Sequence, residues 1–277
     1  MKIGLSIDSA CDLPKELIEK HNIHITHYFI MLGEKECVDG IDVNADAIYK
    51  YVKETGVLPK TAAINIDTFT EYFKDFASDY DAVIHFALSS EMSSSYKNAL
   101  IASEEFTNVH VVDSASLSSG IGLLVLSCAD KIAEGKDVDT ILKEIEEEKP
   151  KVQASFLVDT LKFLYKGGRC SALSSIFASV LKIKPKILVE NGKMGVAKKY
   201  MGNINNCLIK YVEDTLSGNN PDLKRAFCTH SSKMEISEKI VQMLKEYGFE
   251  EVYESDASST ISSHCGPNTL GILFMNK

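Results

Sequence analysis

None of the seven cysteines belongs to a Cys-x-x-Cys pair, and their number is odd. Without ligand spacing no zinc centre is expected, and scattered single thiols read as buried cysteines of a cytoplasmic protein, not as a disulfide framework. Basic residues are also in short supply: 30 Lys and Arg against 39 Asp and Glu give a net charge of −9. A nucleic-acid groove needs the opposite balance, and so does adhesion to anionic lipid. Lys182-Ile183-Lys184 and Lys198-Lys199 are candidates for local basic patches. The longest apolar run, Gly120 to Ala129, is far too short to span a bilayer, so no membrane insertion is expected. The opening Met-Lys-Ile-Gly-Leu-Ser-Ile-Asp turns polar too early for a secretory leader.

Several catalytic signatures are missing as well. There is no Gly-x-x-x-x-Gly-Lys loop, and Gly120-Ile121-Gly122 lacks the third glycine of a dinucleotide loop. The nucleophile elbow Gly-x-Ser-x-Gly is absent, which weakens a Ser-His-Asp reading of Ser93, His264 and Asp8 or Asp113. His21, His24 and His27 are spaced by three and alternate faces in a strand, so they form no single metal site.

What is present is an α/β pattern in a chain of 277 residues, long enough for two domains. Strands are expected at Lys2 to Ile7, Ile23 to Met31, Ala82 to Ala87 and Val109 to Val112. Helices fit Pro14 to Lys20, Ala45 to Glu54, Asp67 to Ala77, Ser94 to Phe106, Leu117 to Ala133 and Val138 to Glu148. This alternation argues for a mainly parallel sheet flanked by helices. Lys149-Pro150 breaks the chain, so the boundary is placed there: an N-terminal α/β domain at 1–150 and a C-terminal α/β domain at 151–277. The second half reads as a mixed sheet with helices, including a hairpin turning at Asn191-Gly192.

Four small-polar clusters punctuate the apolar pattern. Ser89 to Ser95 has five serines in seven positions between a strand and a helix, more than one N-cap requires; contact with an anion is the other reading. Thr61 follows Pro59-Lys60 in a predicted loop, where local turn chemistry is the plain alternative to ligand contact. Arg169 follows Gly167-Gly168, either as a solvated residue past a helix C-cap or as a neutralising cation beside close-passing backbone. His264 stands among small residues in a predicted loop ending Gly266-Pro267, either structural or a donor or base toward a ligand. Hydroxyls, one imidazole and one guanidinium suit a pocket for an anion.

These clusters, in this order, resemble the DegV family of bacterial fatty-acid-binding proteins over essentially the whole chain. The matching segments are Asp8-Ser9-Ala10-Cys11-Asp12-Leu13, Asp39-Gly40, Pro59-Lys60-Thr61, Ser89-Ser90-x-Met92-Ser93 and Val112-Asp113-Ser114 with Gly120. Leu164-Tyr165-Lys166-Gly167-Gly168-Arg169, Lys184-Pro185 and His264-x-Gly266-Pro267 with Gly271 complete the set. The resemblance implies two α/β domains enclosing a long-chain fatty acid, whose carboxylate is held by Thr61 and Ser93 with His264 and Arg169 matching the remaining motifs. It further implies a non-catalytic carrier that uses no cofactor or metal and presents the acid to a separate ATP-dependent fatty acid kinase for acyl-phosphate formation. Three positions depart from the family pattern: Thr61-Ala62-Ala63 where Thr-Ser-Gln is usual, Ser94-Ser95 where Gly-Thr is usual, and Met92 for Leu. For the tail-lining segment, the apolar stretch Leu173 to Leu181 is the expectation.

Overall fold

Strand β1 (Ile3–Asp8) is buried along nearly its whole length, as a largely apolar strand covered on both faces must be. The computed structural model describes residues 1–169 and 183–277. From β1 the chain passes through a short turn and helix α1 (Lys15–Lys20), which Pro14 opens, and returns as β2 (His24–Thr26) parallel to β1. Strands β3 (Phe29–Leu32) and β4 (Lys35–Val38) form a hairpin. Helix α2 (Ala45–Thr55) leads to β5 (Lys60–Ala62), which pairs with the other edge of β3. Helix α3 (Ile66–Phe76), strand β6 (Ala82–Ala87), helix α4 (Ser95–Ser103) and strand β7 (Val109–Asp113) complete a four-stranded parallel sheet of order β2-β1-β6-β7. Helices α5 (Ser119–Ala133) and α6 (Val138–Glu148) follow.

The remaining strands build one six-stranded mixed sheet. Its elements in chain order are β8 (Val152–Leu157), helix α7 (Lys162–Gly167), β9 (Ile183–Glu190) and β10 (Lys193–Met201). Then come helix α8 (Ile204–Ser217), β11 (Pro221–His230), helix α9 (Glu235–Tyr247), β12 (Glu251–Asp256), helix α10 (Ser259–Cys265) and β13 (Leu270–Asn276). The order is β10-β9-β8-β13-β11-β12, with β11 and β12 parallel and the other neighbours antiparallel.

Helix α5 joins the two sheets. It packs against β1 and β6 of one and β8, β11 and β13 of the other. A helix apolar on every side can only lie in an interior, and residues 119–126 of α5 are all buried. One core cluster therefore runs from Leu5 and Ile7 through Leu124 to Phe227 and Leu273.

Three expectations are corrected. The stretch Ile23 to Met31 is two strands in two sheets, because the chain turns at His27-Tyr28 to leave the parallel sheet. Thr61 lies on strand β5, paired with Ile30, and not in a loop. His264 lies in the last turn of helix α10, and not in a loop; Ser258 caps that helix by accepting the Ile261 N–H. Small-residue segments with few apolar side chains gave neither element a readable period. The stretch Leu173 to Leu181, expected to line the tail, lies outside the described residues.

Gly271 illustrates how tightly the sheet is built. A Cβ there would lie 2.7 Å from the Ser155 carbonyl oxygen and 3.0 Å from Phe156 Cβ, on the neighbouring strand β8. Neither atom can swing aside. Gly271→Ala is expected to destabilise the protein by about 1–3 kcal/mol through overpacking, read from the shift of a urea unfolding midpoint at unchanged slope.

Candidate functional site

Thr61, Ser93, Arg169 and His264 line one cavity of about 330 Å³. Each arrives from a different element. Thr61 comes from β5, Ser93 from the loop before α4, Arg169 from just past α7, and His264 from the end of α10. Thr61 Oγ1 and His264 Nε2 are 2.9 Å apart, a hydrogen bond between residues 203 positions distant in the chain. Leu88, Met92, Leu117, Leu164, Met194 and Ile261 supply apolar wall, and Tyr28 reaches the cavity from the turn between β2 and β3. A smaller, almost wholly apolar cavity shares Leu117, Ile261 and Cys265 with it and continues toward Phe156 and Leu273.

The five serines of the Ser89 to Ser95 loop have separate tasks. Ser89 Oγ donates to the Gly192 carbonyl in the β9–β10 turn, and the Ser90 N–H donates to Asp113. Ser95 is fully buried and its Oγ accepts the Ile64 N–H. Ser94 stands at the N-cap of α4 without a side-chain capping bond. Ser93 Oγ accepts from the Ser95 N–H at 3.2 Å and from the Tyr28 hydroxyl at 3.3 Å, and donates to Ser95 Oγ at 3.2 Å. Its one proton is thus the group it can redirect toward a ligand.

Both glycines before Arg169 are needed by the fold. Gly168 takes the left-handed conformation that ends α7, with φ at 71°. At Gly167 a Cβ would come within 2.4 Å of His264 Nδ1, so only glycine lets α7 close against the imidazole. The Arg169 side chain is exposed, and its Nη1 donates to the Gly167 carbonyl at 2.8 Å. Burial, then the nearby Arg169 charge, lowers the His264 pKa to about 4. The ring is therefore neutral at neutral pH, with Nε2 committed to Thr61 and Nδ1 without a hydrogen-bond partner among the described residues. No Ser-His-Asp relay is assembled. Asp8 accepts from the N–H groups of Leu88 and Ala10, Asp113 accepts from those of Ser90 and Ala115, and no carboxylate reaches His264 among the described residues.

Behind the cavity lies a layer that the sequence did not disclose. Asp39 accepts from the N–H groups of Ser259 (2.8 Å) and Thr260 (3.2 Å), and Asp12 from that of Ser258 (2.8 Å) and the Ser118 hydroxyl (2.5 Å). These carboxylates occupy the otherwise unpaired N–H groups at the start of α10 and so fix where His264 projects. Asp8 and Asp12 are buried, and desolvation raises the pKa of each to about 7. Among the described residues, no group of His, Cys, Asp and Glu is placed to hold a metal ion. The described free cysteines, including Cys11 and Cys265, are buried.

Residues 2–277 match the model of the DegV family, a family described as uncharacterised proteins. The chain belongs to the DegV family. It is 31% identical to the protein DegV of Bacillus subtilis strain 168, with the whole of both chains covered. The crystal structure of that species' DegV, described as a fatty acid binding protein, superposes with a TM-score of 0.85 at 30% identity, again over both chains in full. A DegV family protein from Thermus thermophilus, solved for its fatty acid binding, gives a TM-score of 0.90 at 25% identity over 100% of each chain. The DegV fold expected from the motifs is thus the fold observed: helices flanking a parallel sheet, followed by a mixed sheet.

The buried carboxylates make stability depend on pH in a defined direction. A carboxyl whose pKa is raised on folding stabilises the native state below its unfolded value, and that contribution is lost as pH rises through about 7. His85 and His264, lowered on folding, act in the opposite sense, so a difference measurement is required. Asp8→Asn is expected to gain stability relative to the parent protein as pH rises from 5 to 8, since the histidines cancel in the comparison. Paired urea titrations at each pH test this; a constant difference across the range would contradict it.

Proposed function

We propose that this protein binds a long-chain fatty acid, with the carboxylate at Thr61 and Ser93 and the tail against the apolar walls of the same cavity. His264 and Arg169 complete the head-group end. What carries the reading is the convergence of two hydroxyls, a neutral imidazole and a guanidinium on one cavity that also has apolar wall from Leu88, Met92, Leu117, Leu164, Met194 and Ile261. An ionised head group buried without donors costs several kcal/mol, so it needs convergent hydrogen bonds. The tail supplies the affinity: at ~0.8 kcal/mol per methylene, roughly sixteen carbons give on the order of 10 kcal/mol before ordering losses. Membership in the DegV family, and the fatty acid binding ascribed to its Bacillus subtilis and Thermus thermophilus members, support the same ligand class.

The second part of the proposal is the role of a carrier. The protein presents the bound acid to a separate ATP-dependent fatty acid kinase and holds the resulting acyl-phosphate, with no chemistry of its own. An acyl-phosphate is a reactive anhydride, and enclosure away from water protects it. The Thr61 and Ser93 hydroxyls, with His264 orienting Thr61, offer hydrogen bonds to a phosphoryl oxygen as they do to a carboxylate.

Two outcomes are expected. Mass spectrometry of denatured purified protein releases long-chain fatty acid near one per chain. Ser93→Ala and Thr61→Ala each weaken retention roughly tenfold or more, since a hydrogen bond to a charged group is worth about 1.5–3 kcal/mol. Absence of lipid together with no binding after delipidation would refute the ligand class. For the carrier role, a fatty acid kinase with ATP forms acyl-phosphate only when this protein supplies the acid; equal product with free fatty acid alone would refute that role.

A further inference from the structure

Tyr28 is buried, with 2% of its surface exposed, yet its hydroxyl reaches two groups of different character. Asp8 Oδ2 lies 3.4 Å to one side and Ser93 Oγ 3.3 Å to the other. The phenol has one proton and two acceptors, and both distances are long, so neither bond excludes the other. The ring is held from outside the cavity: the Tyr28 N–H donates to Ser9 Oγ at 3.1 Å, and its carbonyl accepts from the Asp39 N–H at 2.9 Å.

We propose that Tyr28 is a positioning residue whose hydroxyl chooses between Asp8 and Ser93, so that the protonation state of Asp8 sets how well the cavity holds a carboxylate. The inference rests on the fatty acid reading and adds a regulatory input to it. When Asp8 is ionised, the charge-assisted bond draws the Tyr28 proton to it. The phenol oxygen then turns a lone pair to Ser93, whose proton has an internal acceptor and is diverted from the ligand. When Asp8 is neutral, Tyr28 donates to Ser93. Ser93 then has acceptor sites filled by Tyr28 and the Ser95 N–H, and its own proton points to the cavity. Repulsion between an Asp8 carboxylate and the bound head group acts in the same direction. Binding the anion therefore draws a proton from solvent onto Asp8.

The groups facing Asp8 allow this assignment. Cys11 and Asp12 come from the turn after β1, Tyr72 from α3, Asp39 from the segment after β4, and Tyr28 from the β2–β3 turn. Burial holds both tyrosines and Cys11 protonated by raising their pKa values. Asp12 is also raised to about 7, but it bonds Ser118 and the Ser258 N–H and makes no bond to Tyr28 or Ser93. His264, lowered to about 4, stays neutral through the range in which Asp8 titrates. Glu91 at the cavity rim is paired with Lys193 at 3.2 Å.

The test is calorimetric binding of palmitate to delipidated protein between pH 6 and 8.5, repeated in buffers of different ionisation enthalpy to count protons. The parent protein is expected to take up a fraction of a proton near pH 7 and to lose about 3- to 10-fold in affinity from pH 6 to 8.5. Tyr28→Phe keeps the ring and flattens the affinity profile, while Asp8→Asn abolishes the proton uptake. A flat profile without proton uptake in the parent protein overturns the inference whatever the variants do, while leaving fatty acid binding intact. A Tyr28→Phe profile as steep as the parent's overturns the role of Tyr28. Absence of palmitate binding at every pH overturns both this inference and the function it rests on.

Discussion

The capping of helix α10 by two distant aspartates is the constraint on which the site depends. Asp12 and Asp39 belong to the first part of the chain, and the N–H groups they accept belong to Ser258, Ser259 and Thr260. A seven-residue helix gains little from its own hydrogen bonds, since nucleation uses up what a short run of turns returns. Anchored carboxylates at its start change that balance. Once α10 is fixed, His264 at its far end is fixed too, and the imidazole meets Thr61 on the edge strand β5. Without the two caps, neither the hydrogen bond nor the cavity wall formed by Thr260, Ile261 and His264 has a reason to persist.

The second feature is polarity without net charge at the depth of the cavity. Its inner polar groups are hydroxyls, a phenol and a neutral imidazole, and the nearby guanidinium of Arg169 remains exposed. Such a lining buries no fixed cation that would be unpaired when the cavity is empty. Further in, the carboxyls of Asp8 and Asp12 are driven toward their neutral forms by desolvation.

Much of the fold was legible because periodicity and strand length carry it. The parallel strands, the long helices and the β9–β10 hairpin follow from apolar runs, alternation and an Asn-Gly turn. The elements that were misread are those in which small polar residues blur any period. Strand β5 is three residues long and α10 is built from serine, threonine, histidine and cysteine with one isoleucine. Of the site, Thr61, Ser93, Arg169 and His264 could be singled out because each interrupts an apolar pattern with chemistry. Tyr28 could not, since it sits inside an apolar stretch where a tyrosine signals nothing beyond burial. Asp8, Asp12 and Asp39 carried motif membership but no role, because their partners are hydrogen-bond donors far away in sequence.

By itself the sequence determined the α/β class of the molecule and the side-chain chemistry of its polar clusters. Charge balance, run lengths and side-chain types are local quantities, and they are complete before the chain folds. The tertiary structure alone decided that Thr61 faces His264, that Gly167 clears space for that ring, and that Tyr28 stands between the buried Asp8 and Ser93. Those are distances between segments up to 203 positions apart. They are set by contacts between elements far apart in sequence, such as α10 against β5 and α7, which no local pattern encodes.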